Sequence, residues 1–293
     1  VFLLLIFFIL FPQNALSASK QGLTLWFEQI LPTLLPFSVL SYVVLRSNLF
    51  AGTSTRKHRK ISNEEWYIIL CGFLFGFPIG SKLTADLYRE GRIPRKRAQY
   101  LCVFTNNLSP VFVVSVLHEI LHLQVKLSFY LLLYGIPFLY GLVLLLRIAS
   151  SEPHKQKNTA SRFQITMQIV DAGIINGFET LIKICGYIMM FSILTQMLLS
   201  VPWNHTIMPV LLSGCLEVTT GVATLGQSDI TGSCKYILAL FMLSFNGISG
   251  LCQTASILSQ TNLSMRSYCK HKLIIVLLVL TGGIGLLFFR RLC

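Results

Sequence analysis

An all-α polytopic membrane protein, with about seven transmembrane helices plus two re-entrant or broken helical hairpins in an inverted repeat, is the fold class predicted by three features of this chain. Of its 293 residues 54% are hydrophobic and 12% charged, against about a quarter charged in a soluble domain. Apolar runs near the ~20 residues that a bilayer requires recur along the whole length, so a single membrane domain over 1–293 is predicted rather than an anchor on a soluble head. Finally, the short runs 66–81 and 207–223 are broken by Gly, Pro or Thr, and each is followed by a longer apolar stretch with small polar residues at its middle. Paired interruptions of this kind point to a ligand site between two repeats.

The elements follow in order. The run 1–17 leads into the small residues of Asn14–Ser19. A signal-peptide core is one reading, but without a basic flank a retained first helix is expected. Long spans are predicted over 24–45, 98–117, 127–147, 178–200, 235–258 and 272–289. Arg56–Lys60 precedes the first short run and Arg89–Arg97 follows it, while Ser151–Arg162 and Arg266–Lys272 form further basic loops. By the positive-inside rule these are cytoplasmic. The flanks of the second short run hold only His205 and Asp229, so that run is expected to enter from the opposite face. The result is a first repeat over 22–147, a cytoplasmic basic linker and interfacial segment over 148–175, and a second repeat over 176–290. Phe37–Leu40 and Phe191–Leu194 echo one another at matching places. Arg290 and Arg291 fall on the outer side, against the rule.

The net charge of +13 does not indicate nucleic acid, because the Lys and Arg cluster between apolar runs. Eight cysteines include no Cys-x-x-Cys pair and most lie inside apolar runs. They read as small hydrophobes, with neither a disulfide framework nor a metal site, and no cofactor is expected.

Backbone that is not helical at membrane depth has unpaired amides and carbonyls, and is tolerated where it lines a cavity. Gly76, Pro78 and Gly80 break the first short run, and freed amides there attract an anion. Lys82 either adds a full positive charge or anchors at the interface. Glu217 is a carboxylate in an apolar run with no base nearby in sequence, which points to a coupling proton or sodium ion. Thr219 and Thr220 add hydroxyls beside it. Asn106, Asn107 and Ser109, with Pro110, interrupt the 98–117 helix, and Ser244, Asn246, Ser249 and Gln253 match them in the second half. All can hydrogen-bond a polar ligand or re-satisfy freed backbone. His118-Glu-Ile-Leu-His122 has the His-Glu-x-x-His form of zinc proteases. It lacks an evident third ligand, so an interfacial polar cluster is the better account and no enzymatic activity is expected.

Gly22–Trp26, Leu31–Phe37, Gly76–Lys82, Phe104–Phe112, Glu217–Gly221 and Ser244–Ser249 together resemble the YlbJ (SpoVV) family of sporulation integral membrane proteins, in the family's order and over nearly the whole chain. The resemblance implies a gate-type domain related to concentrative nucleoside transporters. It also implies movement of dipicolinic acid from the mother cell across the outer forespore membrane. Phe75-Gly-Phe-Pro78 stands where Ser-Gly-Tyr-Pro is usual and Asn246 where Gly is usual; the first departure removes a hydroxyl from the expected site. Dipicolinate is a small planar dianion, suited to amide donors, helix N-termini and Lys82. The expected partners are thus a small-molecule anionic substrate, a coupling H+ or Na+, and copies of the same chain in a homo-oligomer. Two alternatives stay open: a carrier of nucleosides or other polar solutes, and a non-transporting membrane protein required for spore cortex formation.

Overall fold

Long apolar runs become long helices, and the runs that Gly, Pro and Asn interrupt become pairs of short ones. A computed structural model describes residues 2–47, 61–149 and 164–292. The expected basic loops Arg56–Lys60 and Ser151–Arg162 lie outside these residues. No strand occurs among the described residues.

The chain opens with α1 (Phe2–Leu10) and the long α2 (Pro12–Arg46). A hairpin of α3 (Asn63–Leu74) and α4 (Ile79–Arg89) follows. Next come α5 (Arg95–Phe104), α6 (Pro110–Ile120) and α7 (Leu127–Ile148). The same order then recurs: long α8 (Met167–Leu199), hairpin α9 (Ile207–Leu216) and α10 (Val218–Gln227), the interrupted pair α11 (Gly232–Phe245) and α12 (Gly247–Leu258), and long α13 (Met265–Leu292). Counting α11–α12 as one stretch, five helices among the described residues are long and apolar enough to cross a membrane; Pro110–Ile120 and Ile207–Leu216 are apolar but shorter.

Two expectations need correction: the 235–258 span is not continuous, and Arg266–Lys272 is not a loop. Both 98–117 and 235–258 are interrupted. The first opens at Thr105–Ser109, because Pro110 lacks an N–H and disfavours helical backbone at the residue before it. The second breaks at Asn246, which takes the left-handed conformation (φ 69°) that Asn tolerates better than most residues. Arg266–Lys272 is not a loop: α13 starts at Met265, and Lys272 is only 1% exposed. Within the expected 148–175 segment, α8 begins at Met167.

Packing follows the repeated order. The opening helices α2 and α8 pack along each other, with Leu181, Ile184 and Ile188 against Trp26, Ile30 and Leu34. Trp26 Nε1 donates to the Leu181 carbonyl at 2.8 Å. In the larger core α5 packs on α7, and α11 packs on α13. The hairpins cross over: α4 touches α12 of the second half, while α10 touches the end of α6 in the first. Arg92, past the end of α4, donates to Glu64 at the start of α3 and to the Leu45 carbonyl. Both feet of the first hairpin are thereby tied at one end of the bundle.

Candidate functional site

Each hairpin tip meets the break of its own half. In the first tip Gly76 has φ +77°, and a Cβ there would stand 2.3 Å from the Ser109 nitrogen; only glycine suits both the backbone and the gap. Gly80 serves a similar close approach, since a Cβ would meet the Thr105 carbonyl oxygen at 2.2 Å. Phe77 N–H donates to the Asn107 carbonyl, and Phe75 stacks on Phe37 of α2 with ring centroids 3.9 Å apart. In the break, Ser109 Oγ accepts from Phe112 N–H at 3.3 Å and so caps α6. Asn107 Nδ2 donates to the Phe104 carbonyl at 2.6 Å, satisfying one orphan acceptor at the end of α5.

The second tip is the single extended residue Glu217, whose carboxylate is the N-cap of α10. Its Oε2 accepts from Thr220 N–H at 2.8 Å, from Thr220 Oγ1 at 3.1 Å and from the Thr219 hydroxyl. Among the described residues Oε1 accepts no hydrogen bond. Asn246 joins the two halves, its Nδ2 donating to the Asn106 carbonyl at 3.3 Å.

Tips and breaks enclose a cavity of about 300 Å³. Pro78, Ser109, Glu217 and Asn246 all line it, and these are the residues immediately before α4, α6, α10 and α12. Four helix N-termini therefore start at one cavity wall, and each carries roughly half a positive charge. The long helices complete the enclosure: Glu28, Gln29 and Thr33 from a π-helical turn and the following residues of α2, and Ile184 and Ile188 from α8. Ser115 and Glu119 of α6 also reach it. Three carboxylates thus border the cavity, and among the described residues no Lys or Arg does.

Of the residues singled out from sequence, Pro78, Ser109, Glu217, Thr219, Asn246 and Gln253 line the cavity. Gly76 and Gly80 pack the tip against the break. Asn106, Asn107, Thr220, Ser244 and Ser249 lie behind the wall. Ser244 Oγ donates to the Phe241 carbonyl at 3.1 Å, and Ser249 Oγ accepts from Gln253 Nε2 at 3.1 Å. Gln253 Oε1 and Asn246 Oδ1 are buried without a hydrogen-bond partner among the described residues.

Lys82 is elsewhere. Its ammonium donates to the Thr180 hydroxyl at 2.6 Å, to the Asn176 carbonyl at 3.2 Å and to the Asn176 side chain. It lines a second cavity of about 270 Å³ with Arg89, Lys183, Asp86 and Glu179. Gln253 and Ile184 line both cavities and so partition them.

Sequence reasoning missed Glu28, Gln29, Thr33, Ser115 and the cavity position of Glu119. A signal for Glu28 existed, as it is the sole charge between Leu23 and Leu45. The His118–His122 motif does not form a helical pair: the helix ends at Ile120 and His122 has φ 50°. No group of three His, Cys, Asp or Glu placed to hold a metal occurs among the described residues.

Fold and cavity define a polytopic, all-helical integral membrane protein with an internal chamber between hairpin tips and interrupted helices. The chain is similar to the sporulation integral membrane protein YlbJ of Bacillus subtilis (strain 168), with 26% identity over 302 residues covering 88% of this chain and 74% of that one. No family model matches the chain, and no solved structure does.

Proposed function

We propose that the protein is a transporter of a small aromatic carboxylic acid, dipicolinic acid, across the outer forespore membrane of a sporulating cell. The observation that carries this reading is the convergence of four helix N-termini on one cavity, a favourable setting for a carboxylate in a membrane. The cavity's size falls at the lower end of small-ligand pockets, which run from about 300 to 1,000 Å³. Ile184, Ile188, Leu34 and Phe77 offer apolar walls to a flat ring, and Asn246 and Gln253 offer amides.

Charge sets the terms of binding. One N-terminus is already capped by Glu217, and Glu28 and Glu119 oppose a dianion. A dicarboxylate is therefore taken up together with protons, with Glu217 as the proton-binding coupling group. The repeated element order and the crossed hairpin packing favour an inverted repeat, of the kind that gate-type and concentrative nucleoside transporters use. In this reading the two hairpins enter from opposite faces and the basic α4–α5 loop is cytoplasmic. Solute entering beside Lys82, Arg89 and Lys183 then passes the Gln253–Ile184 partition to reach the tips.

The absence of Lys and Arg from the described lining favours a second reading, a neutral polar solute such as a nucleoside. Binding to purified protein separates the two. Dipicolinate is expected to bind saturably in calorimetry, and more tightly at mildly acidic than at neutral pH. Linkage sets a ceiling of about tenfold per pH unit for each proton taken up. Binding of nucleosides without dipicolinate would establish the second reading, and binding of neither would leave a non-transporting role in spore formation.

A further inference from the structure

Lys272 is a charged side chain inside the apolar helix α13, 1% exposed, and among the described residues it has no carboxylate within ion-pair distance. A buried ammonium without a counterion is costly, so its surroundings must supply the compensation. Its Nζ donates to one acceptor, the Asn106 backbone carbonyl, at 3.3 Å. That carbonyl lies just beyond the C-terminal end of α5, where the last turn of a helix leaves orphan oxygens and the negative end of its dipole. The same oxygen accepts from Asn246 Nδ2 at 3.3 Å. One atom thus binds both helix breaks and the lysine.

The rest of the cluster is rich in acceptors. Asn106 Nδ2 donates to Thr254 Oγ1 at 3.0 Å and to Tyr268 OH at 2.8 Å, which fixes the amide's orientation. Its Oδ1, and Oδ1 of Asn246, remain buried without partners among the described residues. Interrupted membrane helices generally direct half-helix N-termini at an anionic solute and use the opened carbonyls and C-terminal ends to hold a cation. Here the N-terminal side faces the cavity and the C-terminal side faces Lys272.

We propose that the crossing of the two helix breaks is a monovalent-cation site that the protein fills with its own Lys272 ammonium. The lysine acts as a tethered counter-ion that holds the breaks together, so this site needs no sodium ion. Removing the side chain opens it to a small cation with N–H donors or a bare charge. The inference narrows the coupling ion of the transport reading to the proton, yet it concerns cation occupancy alone and holds for any solute.

Thermal melting of the full chain in detergent tests it without solute or flux. Wild-type protein is expected to melt at the same temperature in sodium chloride and in N-methylglucamine chloride of equal ionic strength. Lys272→Ala should melt lower, and methylammonium or sodium should restore at least half of that loss saturably, while tetramethylammonium, which has no N–H and greater bulk, should not. Lys272→Met, which fills the space with an uncharged stem, should stay low in every salt. A sodium-specific shift in the wild type would overturn the proposal, as would a Lys272→Ala protein that melts like the wild type or ignores every cation. Should Lys272→Ala not fold, the wild-type comparison still decides: sodium independence supports the tethered ion and sodium dependence refutes it.

Discussion

Glu65→Ala is expected to cost about 3–5 kcal/mol of stability, the usual loss when one partner of a buried ion pair is removed. Glu65 is 0% and Arg97 2% exposed. Arg97 Nη2 donates to Glu65 Oε2 at 2.7 Å, and Nε donates to Oε1. The same carboxylate accepts from Ser62 N–H at 2.7 Å, and Ser62 Oγ accepts from Glu65 N–H at 3.2 Å, a capping box that starts α3. One side chain therefore begins the first hairpin and fastens it to α5. Truncating it takes the carboxylate away from a guanidinium that is only 2% exposed. The paired replacement Glu65→Leu with Arg97→Met should recover most of the loss, since it removes both charges. Melting of the single and double variants in one detergent gives the coupling directly. As a control, the exposed Glu179–Lys183 pair should be worth less than about 1 kcal/mol.

Glu217→Gln is expected to fold and yet to lose the acid dependence of solute binding and transport. The amide keeps an oxygen for Thr220 N–H, so the cap on α10 survives, but it cannot gain or lose a proton. Glu217→Ala should differ. It leaves the Thr220 amide without its acceptor, at a cost of about 1–3 kcal/mol, and removes the cap besides. Melting curves alongside dipicolinate titrations at acidic and neutral pH distinguish the roles. A Glu217→Gln protein with wild-type pH dependence would move coupling to Glu28 or Glu119.

Much of this arrangement is legible in the sequence because lipid punishes irregular backbone. Gly76-Phe-Pro78 in one run and Glu217 in another announce the two tips, and Ser109-Pro110 announces a break. What escaped depends on partners distant along the chain. Nothing local shows that Asn176 lies 94 positions away from Lys82 to take its ammonium, so a charge beside a broken segment reads as a ligand. Lys272 reads as a loop anchor because it closes a basic stretch, and only the fold reveals the Asn106 carbonyl beneath it. Asn246 has no Pro after it to mark the break, and only the fold brings the following Gly247 against the Leu216 carbonyl and Glu217. The α2 residues are hidden for a different reason: Glu28, Gln29 and Thr33 lie in the long apolar span 24–45, which holds no Gly, and nothing local shows that this helix closes the chamber.

In the proposed function a solute crosses the membrane through the chamber between the hairpin tips. The decisive experiment is uptake of labelled dipicolinate by proteoliposomes carrying the wild type or Thr33→Trp. Thr33 is an exposed position on α2 that lines the cavity, so a bulky ring there obstructs the chamber with little effect on the core. Wild-type vesicles should show saturable uptake that an inward proton gradient accelerates, and Thr33→Trp should abolish it while melting as the wild type does. Wild-type vesicles that take up dipicolinate no faster than protein-free ones, or a Thr33→Trp variant that transports normally, would contradict the proposed function.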